Sequence, residues 1–109
     1  MDKAEVKSMI EEMGVAFDAD HPDHITLSKL NSLAPPFLEY VLLDHPINAD
    51  GVRYIELFDL TIRIYSDTEV AECEDSVKSV LESHDLRWSR SYEYIEEISM
   101  WCIRYTMTV

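Results

Sequence analysis

Residues 86–109 read LRWSRSYEYIEEISMWCIRYTMTV. Over 87–94, Trp88, Tyr92 and Tyr94 fall on one side of an alternating pattern. Over 101–109, Trp101, Ile103, Tyr105, Met107 and Val109 alternate with Cys102, Arg104, Thr106 and Thr108. A period of two is the mark of a strand with one covered face and one more polar face. Residues 95–99 connect the two runs, so the chain is expected to end in a β-hairpin.

Working upstream, residues 66–85 predict the strongest helix. Val70, Cys73, Val77, Val80, Leu81 and His84 form a stripe, with Glu72, Asp75, Ser79 and Glu82 mostly off it. Ser66 and Glu69 have capping-box spacing, with Asp67 and Thr68 as alternative caps. Before this helix, residues 52–65 read as a long strand. Phe58, Leu60, Ile62 and Ile64 share one face, and Asp59, Thr61 and Arg63 the other. Residues 37–43 are an almost wholly apolar run that suits a shorter strand. Between the two, residues 44–51 carry turn chemistry in Pro46, Asn48 and the Asp50-Gly51 pair.

At the start, residues 2–13 predict an amphipathic helix, with Asp2 as N-cap, Val6, Met9, Ile10 and Met13 at helical spacing, and Gly14 as its stop. Residues 18–36 are the least regular stretch, with a helical turn expected over 26–33. The order helix, hairpin, helix, hairpin predicts an α+β fold: an antiparallel sheet of about four strands with two helices on one face. At 109 residues, the chain is expected to form a single domain over 1–109, able to bury a core without disulfides or metal.

Nine Lys and Arg face 22 Asp and Glu, for a net charge of −13. Such a chain repels duplex DNA and anionic membranes at long range, and acidity of this kind also favours solubility. Residues 1–13 lack the apolar run of a secretory leader. No run approaches the ~18 apolar residues of a membrane span. A soluble protein made in a cytoplasm is expected.

Arrangements that carry chemistry are sparse. Two glycines, Gly14 and Gly51, cannot build a phosphate-cradling loop. No serine lies in a nucleophile elbow. Cys73 and Cys102 have no CxxC spacing and read as reduced structural thiols. His84 at a helix end is explained by the helix dipole. Glu93, Glu96 and Glu97 read as a solvated turn. The loop of Asp18, Asp20, His21, Asp23 and His24 offers oxygen and imidazole ligands. It lacks the glycine and terminal glutamate of an EF-hand loop, and a solvated acidic loop is the preferred reading. The late aromatics Trp88, Tyr92, Tyr94, Trp101 and Tyr105 lack the basic groove that base stacking requires, so packing and interface contact account for them better. No catalytic residue, metal or cofactor is expected.

The ordered set of PPFLEY, HPINADGVRYIELFDLTIRIYSD, an acidic helix and LRWSRSYEYIEEISMWCIRYTMTV resembles the tail terminator, or tail completion, proteins of siphoviruses and prophages. Their pattern is a proline-led strand, an ADG-type turn, a strand ending in Tyr-Ser/Thr-Asp, a helix, and a Tyr-Ile-Glu segment before the last strand. Here these features fall at 36–40, 49–51, 64–67 and 94–96, and the resemblance covers about 35–109. It implies a hexameric ring of identical chains that caps the tail tube, stops its growth and joins it to the head connector. The implied partners are other copies, the major tail tube protein and the head-completion or connector protein. DNA would only pass through an acidic lumen, and no membrane is involved. The implied location is the virion neck, after synthesis in the host bacterial cytoplasm. Interface candidates are Asp44, His45, Pro46, Asn48, Asp50 and Gly51 in the turn, with Trp88, Tyr92 and Tyr94 on the last hairpin. Competing readings are another head-completion or neck protein, a small α+β ligand-binding or regulatory domain, and a metal-dependent enzyme built on the 18–24 loop.

Overall fold

A computed structural model describes residues 2–17, 36–44 and 57–109. In chain order these form α1 (Lys3–Glu12), β1 (Ala16–Phe17), β2 (Phe37–Asp44), β3 (Phe58–Ser66), α2 (Glu74–Ser83), β4 (Ser89–Ile95) and β5 (Met100–Thr108). The sheet order is β1-β2-β3-β5-β4. The four long strands are all antiparallel, and two helices pack on one face, so the fold is α+β.

The alternation in the sequence sets the two faces. Residues opposite one another on paired strands lie on the same side of a sheet. The rows Tyr40–Ile62–Tyr105–Arg90 and Leu38–Ile64–Ile103–Tyr92 therefore share the helix face. Leu38, Leu60, Ile62, Ile64, Ile103 and Tyr105 from the strands join Val6, Met9 and Ile10 of α1 and Val77 and Leu81 of α2 in one buried cluster. Each such aliphatic side chain contributes about 1.5–3 kcal/mol by leaving water. The other face is not uniformly open. Phe37 is fully buried and stacks on Tyr65, while Glu39 is buried beside Arg63 and Tyr65.

Asp2 caps α1 as expected. Its carboxylate accepts the Glu5 N–H at 2.8 Å, and the Glu5 carboxylate accepts the Asp2 N–H, which completes a capping box. Gly14, at φ 69°, takes the left-handed conformation that ends the helix. The short β1, parallel to β2, was not expected: two residues are too few to show a period.

The second helix starts later than its sequence predicts. Ser66 is not a helix cap but the last residue of β3, paired with Trp101. Its hydroxyl accepts the Thr68 N–H, and the Thr68 hydroxyl donates to the Val70 carbonyl at 2.6 Å. These local bonds compete with helical ones and hold 67–70 in bends. Val70, placed on the buried stripe by periodicity, is 65% exposed. Cys73 occupies the N-cap position without a side-chain cap bond. Of the long strand expected over 52–65, residues 52–56 lie outside the described residues, as do the irregular 18–35 segment and the turn residues 45–51.

The helix ends at Ser83, with His84 as its C-cap, two residues before the expected Asp85. Leu86 N–H donates to the Leu81 carbonyl and Asp85 N–H to the Glu82 carbonyl, a Schellman closure. Asp85 sits at φ 56°, where a side chain is strained and glycine is not. Asp85→Gly is expected to raise unfolding stability by about 0.5–1 kcal/mol, seen as a higher urea midpoint at unchanged slope. An unchanged or lower midpoint would refute the assignment of strain to this residue.

Candidate assembly surface

The surface is built on the β4–β5 hairpin and begins at a buried carboxylate. Arg90 and Tyr105 are register neighbours on the helix face. Both reach up to Glu74, the first residue of α2, whose side chain is 3% exposed. Arg90 Nε donates to Glu74 Oε1 at 2.7 Å and its Nη2 to Oε2 at 3.3 Å. The Tyr105 hydroxyl donates to the same carboxylate, and the Ala71 N–H donates to Oε2 at 2.8 Å. Arg90 also donates to the Glu69 carbonyl at 2.9 Å, which ties down the approach to the helix. A buried charge is tolerated only when it is paired and its remaining acceptor sites are filled, and that condition is met here.

Burial pushes the Glu74 carboxyl up, but the bonds from Arg90, Tyr105 and Ala71 outweigh it and hold the group below the usual carboxylate range. The Tyr105 phenol is pushed well above its ordinary value by burial and by the Glu74 bond. The Glu74 bond likewise raises Arg90. This is the behaviour of a permanently charged clamp.

Beyond the clamp the helix face runs out of cover. α2 has ten residues, about 15 Å of helix. β5 has nine, about 30 Å of strand. A helix of that length cannot roof the whole strand. At the β4 edge, the rows past Arg90 hold Tyr92 and Tyr94, 50% and 49% exposed. Trp101 lies between them, 5.9 Å from Tyr92 and 5.4 Å from Tyr94 centre to centre, edge-to-face with the latter. The Arg90 guanidinium sits 5.2 Å from the Tyr92 ring centre, a cation–π contact.

β4 is also an edge strand of the sheet, and its outer backbone groups lack a partner strand among the described residues. Natural edges are usually guarded by proline, bulges or outward charge. β4 has no proline or glycine, and both its charges are turned inward onto partners. Arg90 is spent on Glu74, and Glu93 pairs with Arg104 on the opposite face.

The sequence-derived interface candidates thus separate. Tyr92 and Tyr94 form the exposed patch. Trp88 is half-buried against the core, edge-on to Tyr105 at 6.3 Å, and supports the hairpin from beneath. Asp44 is exposed at the end of β2, opposite Phe58. His45, Pro46, Asn48, Asp50 and Gly51 lie outside the described residues, and so does the candidate metal loop of Asp18 to His24. Sequence reasoning missed Glu74 and the part Trp101 plays in the patch. A signal for Glu74 was present: Arg90 shares its alternation with Trp88, Tyr92 and Tyr94, so it faces the helix layer and needs an acid there.

A 290 Å³ groove is lined by Asp2, Ala4, Glu5, Ser8, Glu12 and His84, without the apolar and aromatic walls of a ligand pocket. Among the described residues no group of three or more His, Cys, Asp or Glu is placed to hold a metal, and no helix is long and apolar enough to cross a membrane. Cys73 and Cys102 are free thiols, both raised above the ordinary thiol range chiefly by burial, which opposes reactivity.

Glu74→Gln tests the clamp. It is expected to cost about 2–3 kcal/mol, less than the ~3–5 of a fully enclosed pair, because Arg90 keeps 26% exposure. A depressed carboxyl stabilises the fold above its unfolded value of about 4.3 and loses that contribution as pH falls through its folded value. The stability gap between wild type and variant should therefore be constant above about pH 5.5 and shrink below about pH 4.3 in urea titrations. A gap independent of pH across that window would refute the charged clamp. No known family model, curated protein or solved structure matches the chain.

Proposed function

We propose that the chain is a structural protein of the neck of a long-tailed bacteriophage or prophage. In this role copies form a ring that caps the tail tube, ends its growth and joins it to the head connector. The single observation that carries the assembly reading is the β4 edge, unpaired among the described residues, beside exposed Tyr92 and Tyr94 and half-buried Trp101. Exposed aromatics next to unpaired strand backbone are suited to protein contact.

The more specific neck role rests on the ordered resemblance over about 35–109. Its charge fits: at −13 per copy, a ring lumen would repel the DNA that passes through it. A ring needs a heterologous contact that closes on itself. The 44–51 turn is the candidate element for that contact, and its residues 45–51 lie outside the described residues. The role needs no catalytic residue, metal or cofactor.

Removing the gene from its phage should yield overlong tails by electron microscopy, and supplying it in trans should restore their length. Full-length free tails with leaky heads would instead assign the chain to head closure. Normal particles would end the neck reading altogether.

A further inference from the structure

The two ends of β4 carry opposite charge. The strand runs from Ser89 to Ile95, with Tyr92 at its midpoint. Arg87 stands five residues before Tyr92, and Glu96 and Glu97 stand four and five after it, all three exposed. Among the described residues none of the three makes an ion pair. Between them the outer backbone of β4 has no described partner strand, and the exposed rings of Tyr92 and Tyr94 lie beside it. A strand that is positive at its start and negative at its end is complementary to itself when a copy lies alongside it in the opposite direction.

We propose that the β4 edge binds the β4 edge of a second copy, antiparallel about a two-fold axis through Tyr92, so that one sheet runs through both chains. The inference rests on reading this edge as a protein contact and does not depend on the neck role. Symmetry limits the register. Facing residues share a side of the sheet, so the two-fold must pass where a residue faces its own copy. Centring on Arg90 or Glu93 sets like charges directly opposite one another, which is destabilising. Centring on Ser91 brings Glu97 to Asp85 of the second copy, again acid on acid. Centring on Tyr94 runs most of the strand against the 96–99 turn. Centring on Tyr92 avoids all three. Arg87 then meets Glu97 of the second copy at both ends of the contact, with Glu96 beside it. On the helix side Tyr92 faces its own copy and Arg90, already in contact with one aromatic ring, faces Tyr94.

Such a pair is isologous. It covers both edges and closes on itself, so it is separate from the heterologous contact that a ring requires. The other edge of the sheet, β1, is two residues long and uncharged, and it matches neither the length nor the ends of β4.

Sedimentation of the full chain over a range of concentrations should show a monomer–dimer equilibrium. Arg87→Glu and Glu97→Arg should each weaken the dimer by roughly 5-fold or more. The second change lowers the net negative charge of the chain, so bulk repulsion between copies predicts the reverse. A 1:1 mixture of the two variants should recover wild-type affinity, because each end of the contact then holds one acid and one base. The double variant should recover it for the same reason. Isotope-filtered NMR on mixed labelled and unlabelled chains should show contacts from Tyr94 of one copy to Arg90 of the other. A chain that stays monomeric at every concentration would overturn the proposal. So would single variants that dimerise as wild type does, a mixture that fails to recover, or contacts between copies that join β4 to another element.

Discussion

Much of this structure is organised by one buried charge. Glu74 sits where the chain, having left β3 and run through four residues in bends, turns into α2. Its carboxylate gathers Arg90 from β4, Tyr105 from β5 and the Ala71 amide from the approach to the helix. Hydrophobic burial alone would hold the helix on the sheet but leave it free to slide, because apolar contact has no direction. A carboxylate that leaves any bond unmade at this depth loses desolvation energy it cannot recover elsewhere. The clamp therefore fixes how far along the sheet α2 begins.

The position of that starting point has a consequence at the edge. Ten residues of helix rise about half as far as nine residues of strand. With α2 anchored over Arg90 and Tyr105, the rows toward the β4–β5 turn are left without a helical roof at the sheet edge. Tyr92, Tyr94 and Trp101 occupy that opening. The clamp also consumes Arg90, the cation that would otherwise guard the edge and offset the nearby acids. A stabilising interaction and an exposed aromatic patch are thus products of the same residue placement.

The acidity takes on local meaning in the same way. A net charge of −13 is a bulk property suited to solubility or to a lumen that does not hold DNA. On the described surface some acids are internally matched: Glu39 with Arg63 and Tyr65, Glu74 with Arg90, Glu93 with Arg104. Those flanking the patch are not. Matched acids hold the fold together, and the unmatched ones face solvent.

The sequence by itself determined the class of fold, the faces of the strands and both caps of the first helix. Alternation at 58–64 and 101–109, the Asp2 cap and Gly14 all act over a few residues, so their effect is visible in order along the chain. It also singled out Tyr92 and Tyr94 as interface candidates, and the structure leaves both half-exposed. The tertiary structure decided the rest. The start of α2 moved from Ser66 to Glu74 because Ser66 is held in the sheet by Trp101 and the Ser66 and Thr68 hydroxyls bind nearby backbone. Trp88 became support because Tyr105 lies beside it, and Arg90 became a clamp because Glu74 lies above it. Such partners are 16 or more residues apart, and the strand pairing that brings them together is a long-range contact that no local pattern encodes.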